Sequence, residues 1–404
     1  MKRKVRIANH KPSPLLPSLE ETLGLLALPS SLSDFALNIA QEKQLPLPVD
    51  RKTLTYAKKK PVKVDTARKI LRFIANHGPH CERGESPLAF FNSEFRRLAR
   101  QASKEPGNSG LWRVWLYGHN KSDPEGFPRT KNFILKRCDA EAELFERSQI
   151  SDQKLEVPVE VYVQETLVDQ RSIEAALRDV LEKNPNKVHA ISKTTAATMV
   201  RLYLDFFLWI MAWAEKDLIE FYVSETNDTD PALHETGVIL PMLPRISNGE
   251  YCTPLDSLLD HWRHRIAEKL FNQSKPLSWR KFSAFLPDPT RSSRKMSDTC
   301  DLRTINNKYR EMAAWRSGKV VPSEEKLRGF IGNLLPPCRE QEWFFWLAQV
   351  AVAMNRLYQE IDQSRVFTED EIVGFFQQYK DYRQVVWSRS MPVSGNRPVS
   401  YHGN

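Results

Sequence analysis

Between Thr194 and Val223 the chain runs thirty residues without proline or glycine. The pattern predicts one helix about 45 Å long at 1.5 Å per residue. Its polar positions form a main stripe, Thr194, Thr198, Arg201, Asp205, Lys216 and Glu220, and most other positions are apolar. Such a helix is expected to be the central core helix of the second half of the molecule. The most apolar part, Phe206–Ala214, is nine residues long and flanked by Arg201, Asp205, Glu215 and Lys216. A membrane span needs roughly 20 apolar residues, so the expectation is a buried helix and no membrane. With 15 glycines and 10 tryptophans in 404 residues, the composition suits helices better than Gly-rich phosphate loops.

The remaining punctuation organises the chain into five blocks: 1–80, a basic helical domain; 81–190, an α+β domain with a small sheet; 191–258, the long helix and a Pro-containing loop; 259–335, a basic helical domain; and 336–404, C-terminal helices and a tail. In the first block, Ser18-Leu-Glu-Glu21 reads as a capping box and Asp50 as the cap of a helix Arg51–Lys59. Asp65-Thr66 is expected to cap a fourth helix, Ala67–Asn76. Leu111–Tyr117 and Phe133–Arg137 read as strands, and the alternation of Val157, Val159, Val161 and Val163 reads as a third. Thr368-Glu-Asp-Glu371 is a second capping box. The expected fold class is mainly α with a small α+β insertion.

Familiar catalytic signatures do not occur. There is no G-x-G, no G-x-x-x-x-G-K, no G-x-S-x-G, no H-E-x-x-H and no C-x-x-C. The five cysteines, Cys81, Cys138, Cys252, Cys300 and Cys338, are far apart and odd in number, which suits reduced thiols and a cytoplasmic protein. His77, His80 and Cys81 lie around a Gly-Pro turn and are candidate metal ligands, and Asp260, His261 and His264 lie within one helical turn as a candidate metal or acid/base group. The expectation is no cofactor, no metal and no enzyme activity.

A segment near the N-terminus is echoed near the C-terminus. With an offset of 257, Lys69 aligns with Lys326, Ile70 with Leu327, Phe73 with Phe330, Ile74 with Ile331 and Asn76 with Asn333. Each copy reads as a helix, a basic turn, a cap and an amphipathic helix. Charge is segregated in the same way: residues 1–76 and 262–329 each carry a net +9, while 139–185 carry a net −7. Concentrated basicity makes an electrostatic footprint for a polyanion.

The echoed pattern resembles the second half of Cro/repressor-type (XRE-like) helix-turn-helix domains. Asp50-Arg-Lys-Thr-Leu-Thr-Tyr-Ala-Lys-Lys59 resembles the recognition helix, with Leu54 and Ala57 facing inward. Two features depart from that pattern: Leu45-Pro-Leu-Pro48 stands where the family has a tight turn, and a long loop, Asp288–Asp301, precedes the second candidate helix. The resemblance implies double-stranded DNA as partner, with helix-turn-helix-like units near both ends.

Arg51, Lys52, Thr55, Lys58, Lys59 and Lys60 are the N-terminal candidates for base and phosphate contact, since Arg forks onto guanine and Lys meets phosphate. Arg291, Arg294 and Lys295 are candidates for a phosphate clamp. Arg316 and Lys319 are candidates for groove contact, with Gly318 ending their helix in the left-handed conformation. The expected role is a transcriptional regulator or a DNA-targeting subunit of a larger bacterial assembly. An alternative is a non-enzymatic scaffold or adaptor that binds acidic protein partners, drawing on the acidic middle and the aromatic run Trp343–Trp346. A third reading, a nuclease without a recognisable motif, would need carboxylates such as Glu156, Glu160 and Asp169 to converge.

Overall fold

The computed structural model describes residues 15–25, 32–57, 64–77, 97, 107–122, 125–150, 160–161, 163, 166–181, 192–226, 237–247, 249–287, 302–336 and 340–389. Within them the chain is mainly α-helical with one two-stranded sheet. The helices are α1 (Leu19–Leu25), α2 (Leu32–Glu42), α3 (Arg51–Ala57), α4 (Val64–His77), α5 (Ser109–Ser122), α6 (Pro128–Ile150), α7 (Gln170–Leu181) and α8 (Lys193–Thr226). After a 3₁₀ turn at Leu240–Met242 come strands β1 (Arg245–Ser247) and β2 (Glu250–Cys252). Then follow α9 (Pro254–Phe271), α10 (Trp279–Ser283), α11 (Leu302–Arg316), α12 (Glu324–Leu334), α13 (Glu340–Asp362), α14 (Glu369–Gln377) and α15 (Tyr379–Ser388).

The long helix α8 is the axis of the main core, as its apolar run requires. Phe206, Leu208, Trp209, Ala212 and Trp213 are all buried. By length and composition it is also the one described helix apolar enough to cross a membrane, and 61% of that window is buried inside the protein. Around it, Trp112 and Leu116 of α5, Phe133 and Ile134 of α6, Trp262 of α9 and Phe344 of α13 join one continuous apolar cluster. A smaller satellite joins Leu15, Ala140, Leu144, Val161, Val168, Ile173 and Leu202. A third cluster joins Ala36, Ile39, Leu54, Ile70 and Ile74 of α2, α3 and α4.

Two segments expected as strands are helical, and so are the described residues of a third. Leu111–Tyr117 lies inside α5 and Phe133–Arg137 inside α6. Of the valine alternation, Glu160, Val161 and Val163 are described, and they are helical. Five-residue windows rich in Trp, Val and Phe show β-propensity, but propensity yields to packing over a longer element. In α6 the buried positions Phe133, Ile134, Arg137, Cys138, Glu141 and Leu144 follow the 3.6-residue period. The β-structure lies instead in the Pro-containing loop, where Ile246 pairs with Tyr251 across a turn holding Gly249 at φ +76°.

The caps are mostly those expected. Ser18 Oγ accepts from Glu21 N (3.2 Å), and Glu21 in turn accepts from Tyr203 Oη (2.7 Å), tying α1 to α8. Thr368 and Glu371 form the reciprocal capping box of α14. α4 begins at Val64, three residues earlier than expected, so Asp65 sits in its first turn rather than capping it.

The polar residues of α8 do not simply face solvent. Asp205 is buried and accepts from Tyr382 Oη (2.6 Å), Thr166 Oγ1 (2.9 Å) and Leu167 N (3.2 Å), and it pairs with buried Arg137. Glu215 accepts from Val238 N (2.7 Å), Ile239 N (2.8 Å), Tyr379 Oη (2.9 Å) and Arg383 Nε (2.9 Å). Asp217 accepts from Thr130 N (3.0 Å) and Thr130 Oγ1 (2.9 Å) at the start of α6. Lys216 Nζ donates to Val386 O (3.0 Å) near the end of α15, and burial lowers its pKa. Each buried charge thereby meets several polar groups, several of them at helix ends, as a charge removed from water requires.

Candidate nucleic-acid interface

The N-terminal candidates stand on a three-helix unit with its own small core. Asp50 caps α3 by accepting from Thr53 N (2.8 Å) and Thr53 Oγ1 (2.6 Å), and these bonds hold its carboxyl below the usual carboxylate range. Leu54 then points inward and is fully buried against Ala36, Ile39, Ile70 and Ile74. Helical geometry turns Arg51, Lys52 and Thr55 outward, and all three are exposed. Thr55 Oγ1 donates to Arg51 O (2.9 Å), so its hydroxyl proton is used within the helix. The Leu45–Pro48 segment makes a packed turn: Gln44 ends α2 at φ +51°, and Leu47 and Val49 rest on the small core. Lys58, Lys59 and Lys60 lie outside the described residues.

The C-terminal candidates fare differently. Gly318 ends α11 at φ +69°, the left-handed conformation expected, and Trp315 before it is fully buried. Lys319 is exposed beside it. Arg316, however, is held within the protein. Its Nε pairs with Asp256, its guanidinium lies 3.6 Å from the Trp279 ring centroid, and its carbonyl accepts from Thr253 Oγ1 (2.7 Å). Arg263 lies over the same ring at 4.6 Å, also paired with Asp260 and donating to Leu277 O. Trp279 thus joins two arginines, and together they fix α10 and the end of α11 to α9. Arg316 positions the unit, and the open surface beside it belongs to Lys319. Arg291, Arg294 and Lys295 lie outside the described residues.

The echo carries over into burial at four of its five aligned pairs, Phe73 being half-buried where Phe330 is fully buried. Lys69 and Lys326 are both exposed, Ile70 and Leu327 both buried, Ile74 and Ile331 both buried, and Asn76 and Asn333 both exposed. The inward positions of the preceding helices, Leu54 and Met312, correspond only after a slip of one residue, because Leu54 stands 16 positions before Ile70 and Met312 15 before Leu327. With that slip Arg51, Lys52 and Thr55 correspond to Tyr309, Arg310 and Ala313, all exposed. The sequence reading passed over the outward row of α11, Arg303, Asn306, Asn307 and Arg310, and the exposed Arg280 and Lys281 of α10. The signal for that row was the i, i+3, i+4, i+7 spacing of polar residues opposite Met312 and Trp315.

Among the described residues the other candidate groups are not gathered into a site. Asp260 serves Arg263, and His264 Nδ1 lies 2.7 Å from Asp260 O. Asp169 caps α7 by accepting from Ser172 N (2.9 Å), Glu160 is exposed, and Glu156 lies outside the described residues. Of the His77–Cys81 group only His77 is described, and its ring packs against Phe73. Among the described residues no three His, Cys, Asp or Glu side chains cluster as metal ligands would. In the aromatic run, Phe344 and Phe345 are buried, while Trp343 and Trp346 are half-buried in contact with Tyr222 and Phe127. Comparison with protein families, curated proteins and solved structures finds no match for this chain.

Proposed function

We propose that this chain is a non-catalytic DNA-binding protein that contacts duplex through two basic helical units, a transcriptional regulator or a DNA-targeting subunit. The observation that carries this reading is the disposition of α3. A capped helix seats Leu54 in a core of its own and turns Arg51, Lys52 and Thr55 to solvent. The resemblance of 1–80 to Cro/repressor-type domains and the segregated charge support it. Phosphate contacts dominate such binding and make it salt-dependent. Two units in one chain could address two half-sites, as a dimer of single units does.

The test is fluorescence anisotropy of the full chain with a labelled random-sequence duplex, titrated across salt. Binding is expected, with log K falling by about 0.9 per log unit of salt for each phosphate neutralised. Changing Arg51, Lys52 and Lys58 together to Ala is expected to weaken binding and flatten that slope. An unaltered affinity in this triple variant would remove the N-terminal unit from the interface. Absence of binding at about 50 mM salt would overturn the DNA reading as a whole. In that event the scaffold alternative takes its place, and its specific support is Phe221, 55% exposed at the end of α8 beside the Tyr222–Trp343 contact.

A further inference from the structure

We propose that the outward row of α11, Arg303, Asn306, Asn307 and Arg310, is the base-reading surface of the C-terminal unit; this rests on the duplex-binding reading above. The four residues are spaced i, i+3, i+4 and i+7, so they form one stripe about 10 Å long. All four are exposed. The opposite side of the helix is rooted in the core through Met312 and Trp315, which stacks edge-on against Phe330 of α12. No carboxylate interrupts the stripe. Glu311, the only acidic residue of α11, pairs with Lys326 of α12.

The chemistry of the row is that of base edges more than of phosphate. Arginine forks onto guanine O6 and N7, and an asparagine amide pairs with adenine N6 and N7. Asparagine is a poor helix former, and two in succession on an exposed helical face weaken the helix without supplying charge. Beside them, exposed Arg280 and Lys281 of α10 give the flanking positive charge, and Arg280 Nη2 donates to Asn306 Oδ1 (2.9 Å).

Support and placement complete the argument. The Arg263–Trp279–Arg316 stack and the Arg316–Asp256 pair anchor α10 and α11 to α9, so the row sits on a fixed element rather than a loop. The row also lies in the N-terminal part of its helix, and reading helices contact base edges with their N-terminal residues. With Leu54 matched to Met312, Arg310 falls at the position of Lys52, and α11 extends further toward its N-terminus, where Arg303, Asn306 and Asn307 stand. The two units would then divide the work. α3 offers a short, mostly cationic face, and α11 a longer one with two amides.

The experiment uses the full chain, a labelled random duplex, and sequencing of the fraction bound from a randomised duplex pool. The charge-neutral variant Asn306→Ala with Asn307→Ala is expected to bind random duplex as the parent does. It should lose about tenfold or more of the preference for the selected sequence. Arg303→Gln with Arg310→Gln is expected to lose preference too and to bind random duplex more weakly. Thermal midpoints and circular dichroism matched to the parent confirm the fold, and either variant alone carries the test. If the parent binds duplex through Arg51, Lys52 and Lys58, but both α11 variants keep its sequence preference, this inference is overturned and the general reading stands. A parent that binds duplex with no preference also overturns base reading by α11. A parent that binds no duplex overturns both.

Discussion

In the N-terminal unit, Leu54, Ile70 and Ile74 bury against Ala36 and Ile39, and among the described residues that cluster is separate from the main one. In the C-terminal unit, Met312, Trp315, Leu327, Phe330 and Ile331 bury into a cluster that continues through α8, α9 and α13. The two share a pattern of exposed and buried positions along their last helices, yet among the described residues one has a separate small core and the other is a face of the main bundle. An amphipathic pattern specifies which side of a helix is covered, not what covers it. The stability of each face should therefore answer to different mutations. All ten tryptophans lie outside residues 32–77, so tryptophan fluorescence follows the bundle, while amide exchange at Leu54 and Ile70 follows the N-terminal unit.

The largest separation is expected from the bundle interior. Arg137→Met leaves Asp205 buried without its cationic partner. Breaking a buried ion pair costs about 3–5 kcal/mol, and the bonds from Tyr382, Thr166 and Leu167 place this case toward the lower end. In urea the tryptophan transition should move by that amount and carry α11 and α12 with it, while amide protection in 32–77 is unchanged. Loss of protection at Leu54 in this variant would show that the two regions fold as one.

A paired truncation sharpens the same contrast. Leu54→Ala removes the centre of a five-residue core, at a cost of about 2–5 kcal/mol, and should abolish protection in 32–77 without moving the tryptophan transition. Phe330→Ala costs about 3–5 kcal/mol and should do the reverse. Equal effects on both probes from either variant would break the comparison.

A smaller pair of opposite sign comes from the helix ends. α2 and α11 both finish beside a residue in the left-handed region, Gln44 at φ +51° and Gly318 at φ +69°. That conformation costs a residue with a Cβ about 1–2 kcal/mol. Gly318→Ala should destabilise the bundle by about that much, and its Cβ would also stand 3.1 Å from Asn355 Nδ2. Gln44→Gly should instead stabilise the N-terminal unit, by up to about 1 kcal/mol after the extra flexibility of glycine in the unfolded chain is counted. Denaturation followed by the two probes measures both.

How much of this was legible depends on the length over which each signal acts. Caps are local chemistry, and Asp50, Thr368 and Gly318 stand as their sequence predicted. The long period of α8 was equally plain. Leu111–Tyr117 misled because the partner that starts its helix is distant: Glu141 accepts from Asn108 N (2.7 Å) and Ser109 N (2.6 Å). The hairpin had a signal, the Asn-Gly pair at 248–249 typical of two-residue turns, set in a proline-rich stretch that read as loop. Within the candidate interface, the exposure of Arg51, Lys52 and Thr55 follows from Leu54 alone. The fate of Arg316 does not, because Asp256 and Trp279 are 60 and 37 positions away. A charged residue's surroundings are set by tertiary contacts, and basic composition cannot say which arginines remain open.

The smallest effect expected is a matter of pH at the start of α3. Asp50 is exposed, and its bonds from Thr53 hold its folded pKa below the ordinary carboxylate value. A carboxyl of lowered folded pKa contributes stability that is fully present above its unfolded pKa, about 3.9, and is lost as pH falls through the folded value. Amide protection at Thr53 and Leu54 should therefore decline on acidification below about pH 4, more steeply than protection at Ile70 in α4. Asp50→Asn keeps an acceptor oxygen at the cap but does not titrate, so its α3 should show a flatter response over the same range. The cap of α12 is a hydroxyl instead: Ser323 Oγ accepts from Lys326 N (3.3 Å). The capping hydroxyl itself does not titrate, and amide exchange at Lys326, in a first turn that also holds Glu324 and Glu325, supplies the comparison. Parallel acid responses at Thr53 and Lys326 would mean that protonation elsewhere loosens both units. A response confined to Thr53 and Leu54 would place the pH dependence of the α3 face in one hydrogen-bonded carboxylate.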